Sequence, residues 1–488
     1  MKNCLYFILI VLTISCQNYE KEYIPYNFDY IGNNTINYNG ERYNEIYENP
    51  FIKASNQQVS TFSIDADGAS YSNIRRFLEN KIIPPANAVR IEEMINYFIY
   101  NYEEPTGDNT IAVNGEVADC PWQNGHKLIR IGIKGKEIKK EDMPLWNMVL
   151  LLDVSGSMNS EDKIGLVKEA MMTFVDQMSD DDRLAIVTYA GVAGVRLQST
   201  SGKDKKKIKN VISNLKAEGS TAGYDGLSKA YSIAEDYFIK NGNNRIVLAT
   251  DGDFNVGPSS QEELIEFIKQ KRETGIYLTV IGVGTGNLND GMMEQLADNG
   301  NGNYEYLDNS EQTKKIFIDE IGKFYTIAND VKIQITFDTT KVDSFRLIGY
   351  ENRILDSANF NNDKKDAGEL GAGQNVTALY EIVPKGNYNS GKILTLDLRY
   401  KITGESESRL ISSEIIDNNN SFDNSSGNMR FAASVAGFGL LLRNSQYKGT
   451  ITLNNIKSWA ENAKAYDPNG YKQGFIDLLN LYDKIINK

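Results

Sequence analysis

Histidine and cysteine are almost missing from this chain: among 488 residues there is one histidine, His126, and there are three cysteines, Cys4, Cys16 and Cys120. Too few imidazoles and thiols remain for a zinc site of the usual nitrogen and sulfur donors, and one histidine leaves little for a Ser–His–Asp or Cys–His nucleophilic centre, with a serine nucleophile and a lysine base as the open alternative. A disulfide framework is excluded by the same count. Cations are in deficit too, with 52 Lys and Arg against 65 Asp and Glu and a formal net charge of −13. Binding a phosphate backbone needs clustered positive charge, so nucleic acid is not an expected partner. The densest basic run, Lys203-Asp204-Lys205-Lys206-Lys207-Ile208-Lys209, has helical spacing and reads as a solvated helix face. There is no Gly-Lys-Ser/Thr phosphate loop, and Gly282-Val283-Gly284-Thr285-Gly286-Asn287 lacks the third glycine that dinucleotide binding requires.

What the chain does have begins at its N-terminus. Met1-Lys2-Asn3 and the mostly apolar residues 4–15 have the charged start and short greasy core of an export signal, too short to span a bilayer. The stretch ends Leu12-Thr13-Ile14-Ser15-Cys16, which resembles a bacterial lipobox, with Thr13 where that pattern usually has leucine. The resemblance implies a lipid on Cys16 and anchoring to the cell envelope, at the outer membrane on its periplasmic or surface face. With Cys4 removed and Cys16 acylated, Cys120 has no disulfide partner. A plain secretory peptide cut elsewhere is the alternative, and it also exports the chain. Residues 17–58 are rich in Asn, Tyr and Glu without a sustained apolar period and read as a tether.

Further on, residues 61–102 read as a helical tract in two runs, 71–78 and 89–100, separated by Pro84-Pro85. Residues 113–117 and 128–133 alternate as a strand pair turned at Trp122-Gln123-Asn124-Gly125, which places His126 in the turn as a surface residue. From 148 to about 326, apolar strands at 148–153, 184–189, 245–250, 277–282 and 304–307 alternate with amphipathic runs such as Ile164, Val167, Met171, Phe174, Val175 and Met178. That pattern predicts a doubly wound, Rossmann-like α/β domain with a parallel sheet covered on both faces. Ser160 and Ser259 are the expected N-caps, the second followed by Glu262 and Glu263. Strands at 331–337, 344–350, 376–383 and 394–402 are expected to share a sandwich with the earlier pair, and residues 431–442 and 474–486 to be helical.

The chemistry collects at strand ends. The run Met148-Val149-Leu150-Leu151-Leu152 is followed by Asp153-Val154-Ser155-Gly156-Ser157, and Arg245-Ile246-Val247-Leu248-Ala249-Thr250 by Asp251-Gly252-Asp253. Ligands of open α/β sheets bind at the carboxyl ends of strands. Between the two lies Gly219-Ser220-Thr221-Ala222-Gly223, a glycine-flanked hydroxyl. Two carboxylates and three hydroxyls form an oxygen-only donor set, which suits Mg²⁺, Mn²⁺ or Ca²⁺.

Asp-x-Ser-x-Ser, a later Thr and a later strand-end Asp resemble the metal-ion-dependent adhesion site of von Willebrand factor type A (VWA) domains, and all five positions are filled. The resemblance implies that Ser155, Ser157 and Thr221 touch the ion directly, that Asp153 and Asp251 act mostly through bound waters, and that an open position accepts a carboxylate from a protein partner. It implies a divalent cation, most simply Mg²⁺, and an adhesion or scaffold role without catalysis. Ser60-Thr61-Phe62-Ser63-Ile64-Asp65, residues 89–98, Asp251-Gly252-Asp253-Phe254-Asn255-Val256-Gly257 and Leu347-Ile348-Gly349-Tyr350-Glu351-Asn352-Arg353 are similar to a bacterial VWA subfamily, often lipoproteins, with characteristic flanking regions.

The organisation expected is a signal over 1–15, a tether over 16–58, a flank of helices and a hairpin over 59–146, and the VWA domain over 147–327. A β-rich flank over 328–428 and a helical region over 429–488 complete it. Two lesser sites compete. Asp65-Ala66-Asp67-Gly68 looks somewhat like a haloacid-dehalogenase phosphatase nucleophile motif, though helix capping by Asp67 or Ser70 explains it better; Asp363, Asp366 and Glu369 form an acidic loop that reads as solvated before it reads as a second cation site.

Overall fold

The run Met148 to Leu152 becomes part of Trp146–Asp153, the central strand of a six-stranded sheet, because a strand apolar on both faces is stable only when covered on both. The order across this sheet is Tyr304–Leu307, Ile276–Val283, Asn243–Thr250, Trp146–Asp153, Arg183–Tyr189 and Gly194–Ser201, all parallel except the last. Met148, Leu150 and Leu152 pack with Val167, Met171 and Phe174 of helix Leu166–Gln177, while Val149 and Leu151 pack with Leu227 and Leu264 on the other side. The chain order reverses between Trp146–Asp153 and Asn243–Thr250, the switch point at which such sheets open a crevice. The structure is a computed structural model that describes residues 35–190, 193–217, 219, 223–252, 260–386 and 390–487.

The flanking segments build a second body from both sides of this domain. One antiparallel sheet runs Ile354–Leu355, Val59–Ser63, Thr326–Phe337, Gly391–Ile402 and Ser408–Asp417; the other runs Ile52–Lys53, Val342–Ile348, Asn375–Pro384, Lys127–Gly135 and Ile111–Asp119. Phe62, Ile131, Ile133, Ile333, Leu396 and Tyr380 share one core between them, so the sheets form a sandwich. Each sheet pairs a strand preceding the doubly wound domain with one following it, which makes that domain an insertion. Helices Ala69–Glu79, Ile91–Asn96, Gly427–Leu442, Leu453–Glu461 and Tyr471–Ile486 form a third core, around Tyr71, Phe98, Trp122, Phe431 and Phe475.

Several expectations are corrected by tertiary packing. Thr35–Tyr38 and Glu41–Asn44 form a hairpin inside the stretch read as tether, held because Tyr43 is fully buried and Glu41 pairs with Arg76 at 2.6 Å. Val59–Ser63 is a strand where a helical tract was expected to begin, since its neighbours on both sides supply backbone partners. Trp122 is wholly buried, and His126 Nδ1 lies 2.6 Å from Glu381 Oε1, so the histidine is a hydrogen-bonded, half-buried group and not a free surface one. Ser160 makes no capping hydrogen bond; Ser259 lies outside the described residues, and Ser260 forms the capping box with Glu263. Helix Ala69–Glu79 starts after Gly68 without a side-chain cap from Asp67 or Ser70.

Candidate metal centre

Asp153 ends the central strand and Asp251 follows its parallel neighbour, so adjacent strands carry both carboxylates to one rim of the sheet. Both residues are completely buried. Asp153 Oδ1 accepts the Ser155 backbone N–H at 2.8 Å, and Oδ2 accepts the Tyr189 hydroxyl at 3.1 Å and the Thr250 hydroxyl at 3.0 Å. It has no cation within ion-pairing distance among the described residues. Burial holds its carboxyl above the usual carboxylate range, against the hydrogen bonds from Ser155 and Thr250, and the charge of Asp251 adds to the rise. A buried carboxylate in this condition is stabilised by a nearby positive charge.

Ser155 and Ser157 turn their hydroxyls toward each other, Oγ to Oγ 2.9 Å, with Ser155 buried and Ser157 exposed. A short helical turn, Gly156–Met158, sets this spacing. The Gly156 N–H donates to the carbonyl of Gly219 at 3.1 Å, which brings the glycine loop beside the serines. Gly219 adopts φ +111°, a conformation open to glycine, and a Cβ there would press on the Ala190 carbonyl at 3.1 Å. Thr221, two residues on, lies outside the described residues, as does Cys16. Four of the five expected ligand residues are therefore described, and all four converge.

Asp251 behaves differently from Asp153. Its carboxyl is held below the usual range: burial pushes it up, but hydrogen bonds from Asn287, Lys163 and Ser157 and the Lys163 charge outweigh that. Lys163 Nζ sits 3.0 Å from Asp251 Oδ2 and 3.1 Å from Asn287 Oδ1. These positioning groups, with Tyr189 and Thr250, escaped the sequence reading. The signal available for Tyr189 and Thr250 was position, since each ends a strand next to an acidic one. A set of hydroxyl and carboxylate oxygens fits a hard divalent cation and offers nothing to a soft one.

The loop behind Asn287 carries the N-terminal hairpin. Gly286 N donates to Glu41 Oε1 at 3.0 Å and Arg42 N to the Leu288 carbonyl at 2.7 Å. A cavity of about 570 Å³, lined in part by Glu41, Glu79, Asp162, Gly284 and Tyr306, opens between hairpin and rim.

Of the other acidic candidates, Asp65 joins a buried group with Glu93 and Glu294, their oxygens within 4.8 Å of one another, whereas Asp363 and Asp366 are each held by an arginine. Asp363 bonds Arg399 at 3.1 Å and Asp366 bonds Arg272 at 2.7 Å, on different partners, while Glu369 is partly buried. Asp65 is buried with Oδ1 on the Asp67 N–H and Oδ2 on Arg353 Nε, both at 2.9 Å.

Three family models match the chain in succession: "von Willebrand factor" over residues 37–130, "von Willebrand factor type A domain" over residues 147–319, and "Uncharacterized protein YfbK, C-terminal" over residues 322–485. The uncharacterized protein YfbK of Escherichia coli strain K12 is 38% identical over 470 residues, covering 91% of this chain and 81% of that protein. Inter-alpha-trypsin inhibitor heavy chain H3 of Mus musculus is 29% identical over 159 residues, 31% of this chain and 18% of that one. Among solved structures, a von Willebrand factor type A protein from Catenulispora acidiphila covers 75% of this chain and 88% of its own at 17% identity, with a TM-score of 0.43. Proximal thread matrix protein 1 from the mussel byssus, with a zinc-occupied metal-ion-dependent adhesion site, covers 36% of this chain and 45% of its own at 26% identity, with a TM-score of 0.31. With its central VWA domain and a relative matched over most of both lengths, the chain belongs to the YfbK family of bacterial von Willebrand factor type A domain proteins.

Proposed function

We propose that this protein is an envelope-anchored module that binds a protein partner by ligating one of its acidic side chains through a divalent cation. The observation that carries the reading is the convergence of Asp153, Ser155, Ser157 and Asp251 on one rim, with Ser157 open to solvent. A cation held there supplies a Lewis-acidic position for a carboxylate oxygen. Ser155, Ser157 and Thr221 would hold it, with Asp153 and Asp251 behind them, and Mg²⁺ suits this oxygen set, with Mn²⁺ or Ca²⁺ sharing its donors. The role is adhesion or scaffolding and not catalysis; a phosphatase acting through Asp65 and Asp67 is disfavoured because Asp65 is buried under Arg353. No helix among the described residues is long and apolar enough to cross a membrane. Anchoring in this reading comes from lipid on Cys16, at the outer membrane.

The test is a Mg²⁺ or Mn²⁺ titration of thermal stability for a soluble fragment and its Asp153→Ala and Ser155→Ala variants. The wild type is expected to melt higher as cation is added, and the variants not to respond. Metal-insensitive, indistinguishable curves for all three would sink the metal reading. A second reading, in which the cation only stiffens the fold, predicts capture of envelope proteins that is indifferent to chelator.

A further inference from the structure

The five-residue oxygen set does not account for Lys163. Its side chain is 11% exposed, and its ammonium rests against Asp251 and Asn287 rather than in solvent. Three local features place it. Residues Glu161–Gly165 form a π-turn immediately ahead of helix Leu166–Gln177, a widening of the helix that is frequent at functional sites. Gly284 takes φ +73°, and a Cβ there would meet the Lys163 Cε at 2.3 Å, so the bare glycine is what lets the stem pass. Asn287 closes the triangle, bonding both the ammonium and the Asp251 carboxylate.

The consequence is electrostatic. Two carboxylates and one dication cancel, and a fixed lysine beside them leaves one positive charge over. Counted over the described residues of the ligand set, the loaded centre without Lys163 would be neutral and would hold an incoming carboxylate by coordination alone. We propose that Lys163 sets the charge of the metal centre: it weakens cation binding by like-charge repulsion and, in exchange, leaves the loaded site cationic so that an anionic partner group is held more tightly. In the cation-free protein the same ammonium neutralises buried Asp251 and keeps it in its ligand position. This inference rests on the metal-centre reading above and assigns the site's ligand preference to a residue outside the ligand set.

The experiment compares Lys163→Gln, which keeps a hydrogen-bonding head without charge, Lys163→Arg, which keeps the charge, and wild type, each as the mature chain. Mn²⁺ affinity is measured by calorimetry, and acetate affinity of the Mn²⁺-loaded protein by the Mn²⁺ paramagnetic resonance signal. Expected for Lys163→Gln are Mn²⁺ binding about tenfold tighter and acetate binding several-fold weaker, with Lys163→Arg near wild type. Melting curves in chelator give a second readout: Lys163→Gln melts lower without cation and recovers more on adding it. If wild type and Lys163→Gln bind Mn²⁺ with equal affinity, the inference is overturned while the metal centre stands. The same holds if acetate affinity does not change. If wild type binds no Mn²⁺ at all, the metal reading itself falls and takes this inference with it.

Discussion

Replacing Arg353 with leucine removes the guanidinium that joins the two flanks to the VWA domain. Its Nη2 lies 2.9 Å from Asp65 Oδ2, 2.8 Å from Asp298 Oδ1 and 3.8 Å from Glu294 Oε1. Asp65 belongs to the N-terminal flank, Glu294 and Asp298 to helix Asp290–Asn299, and Arg353 follows strand Val342–Ile348 of the C-terminal flank. Oxygens of Asp65, Glu93 and Glu294 converge within 4.8 Å of one another, so the variant concentrates buried negative charge with Arg90, among the described residues, left to offset it. Breaking a buried, hydrogen-bonded ion pair costs about 3–5 kcal/mol, and that is the loss expected near pH 8.

Acid should relieve part of it. Burial holds the Glu294 carboxyl up at about 7, with Arg90 and Arg353 opposing the rise and Asp298 adding to it. A carboxyl whose folded value lies above its unfolded value binds more protons in the native state, so stability falls as pH rises through that window. In the absence of Arg353 the Glu294 and Asp298 carboxyls protonate more readily, and the loss near pH 5.5 should be smaller by about 1–2 kcal/mol. Urea unfolding followed by tryptophan fluorescence at both pH values measures this. A loss below about 1 kcal/mol near pH 8, or one that does not change with pH, would refute the reasoning.

Two further outcomes follow from buried groups elsewhere. Glu92 is buried beside Glu351 and Arg443 with one oxygen unpartnered among the described residues, and burial raises its carboxyl to about 7; Glu92→Gln should therefore flatten the decline in stability between about pH 5 and 8, stabilising by about 1–2 kcal/mol at the alkaline end. An unchanged pH slope in urea titrations would count against it. Cys120 is 7% exposed and burial pushes its thiol far above the ordinary range, so in a fragment beginning at residue 35 it should react with a disulfide reagent only on unfolding. Rapid labelling of the native fragment would contradict this.

The parts legible in advance were those in which local pattern and final environment agree. Leu150 and Val247 sit in runs that are apolar on both faces, which only a covered parallel sheet accommodates, and Asp153 and Asp251 mark where those runs stop. Edge strands were harder. Ser408–Asp417 leaves Leu410 at 55% and Ile416 at 51% exposure, and Gly194–Ser201 mixes exposed and buried positions, so neither shows a clean alternation. The hairpin at Thr35–Asn44 was masked by polar composition, because what holds it, Glu41 against Arg76 and Gly286, is distant in sequence. His126 looked like a surface group for the same reason: Glu381 lies 255 residues away.

The sequence by itself determined the class of the central domain and the chemistry of its rim, since strand period, strand ends and donor types are local properties of neighbouring residues. Tertiary structure alone decided the rest. It joined strands on either side of the VWA domain into one sandwich, and among the described residues it left Asp153 without a cation while giving Asp251 a lysine. The physical reason is that charge balance and sheet pairing depend on groups brought together from distant positions, and no spacing along the chain encodes which ones will meet.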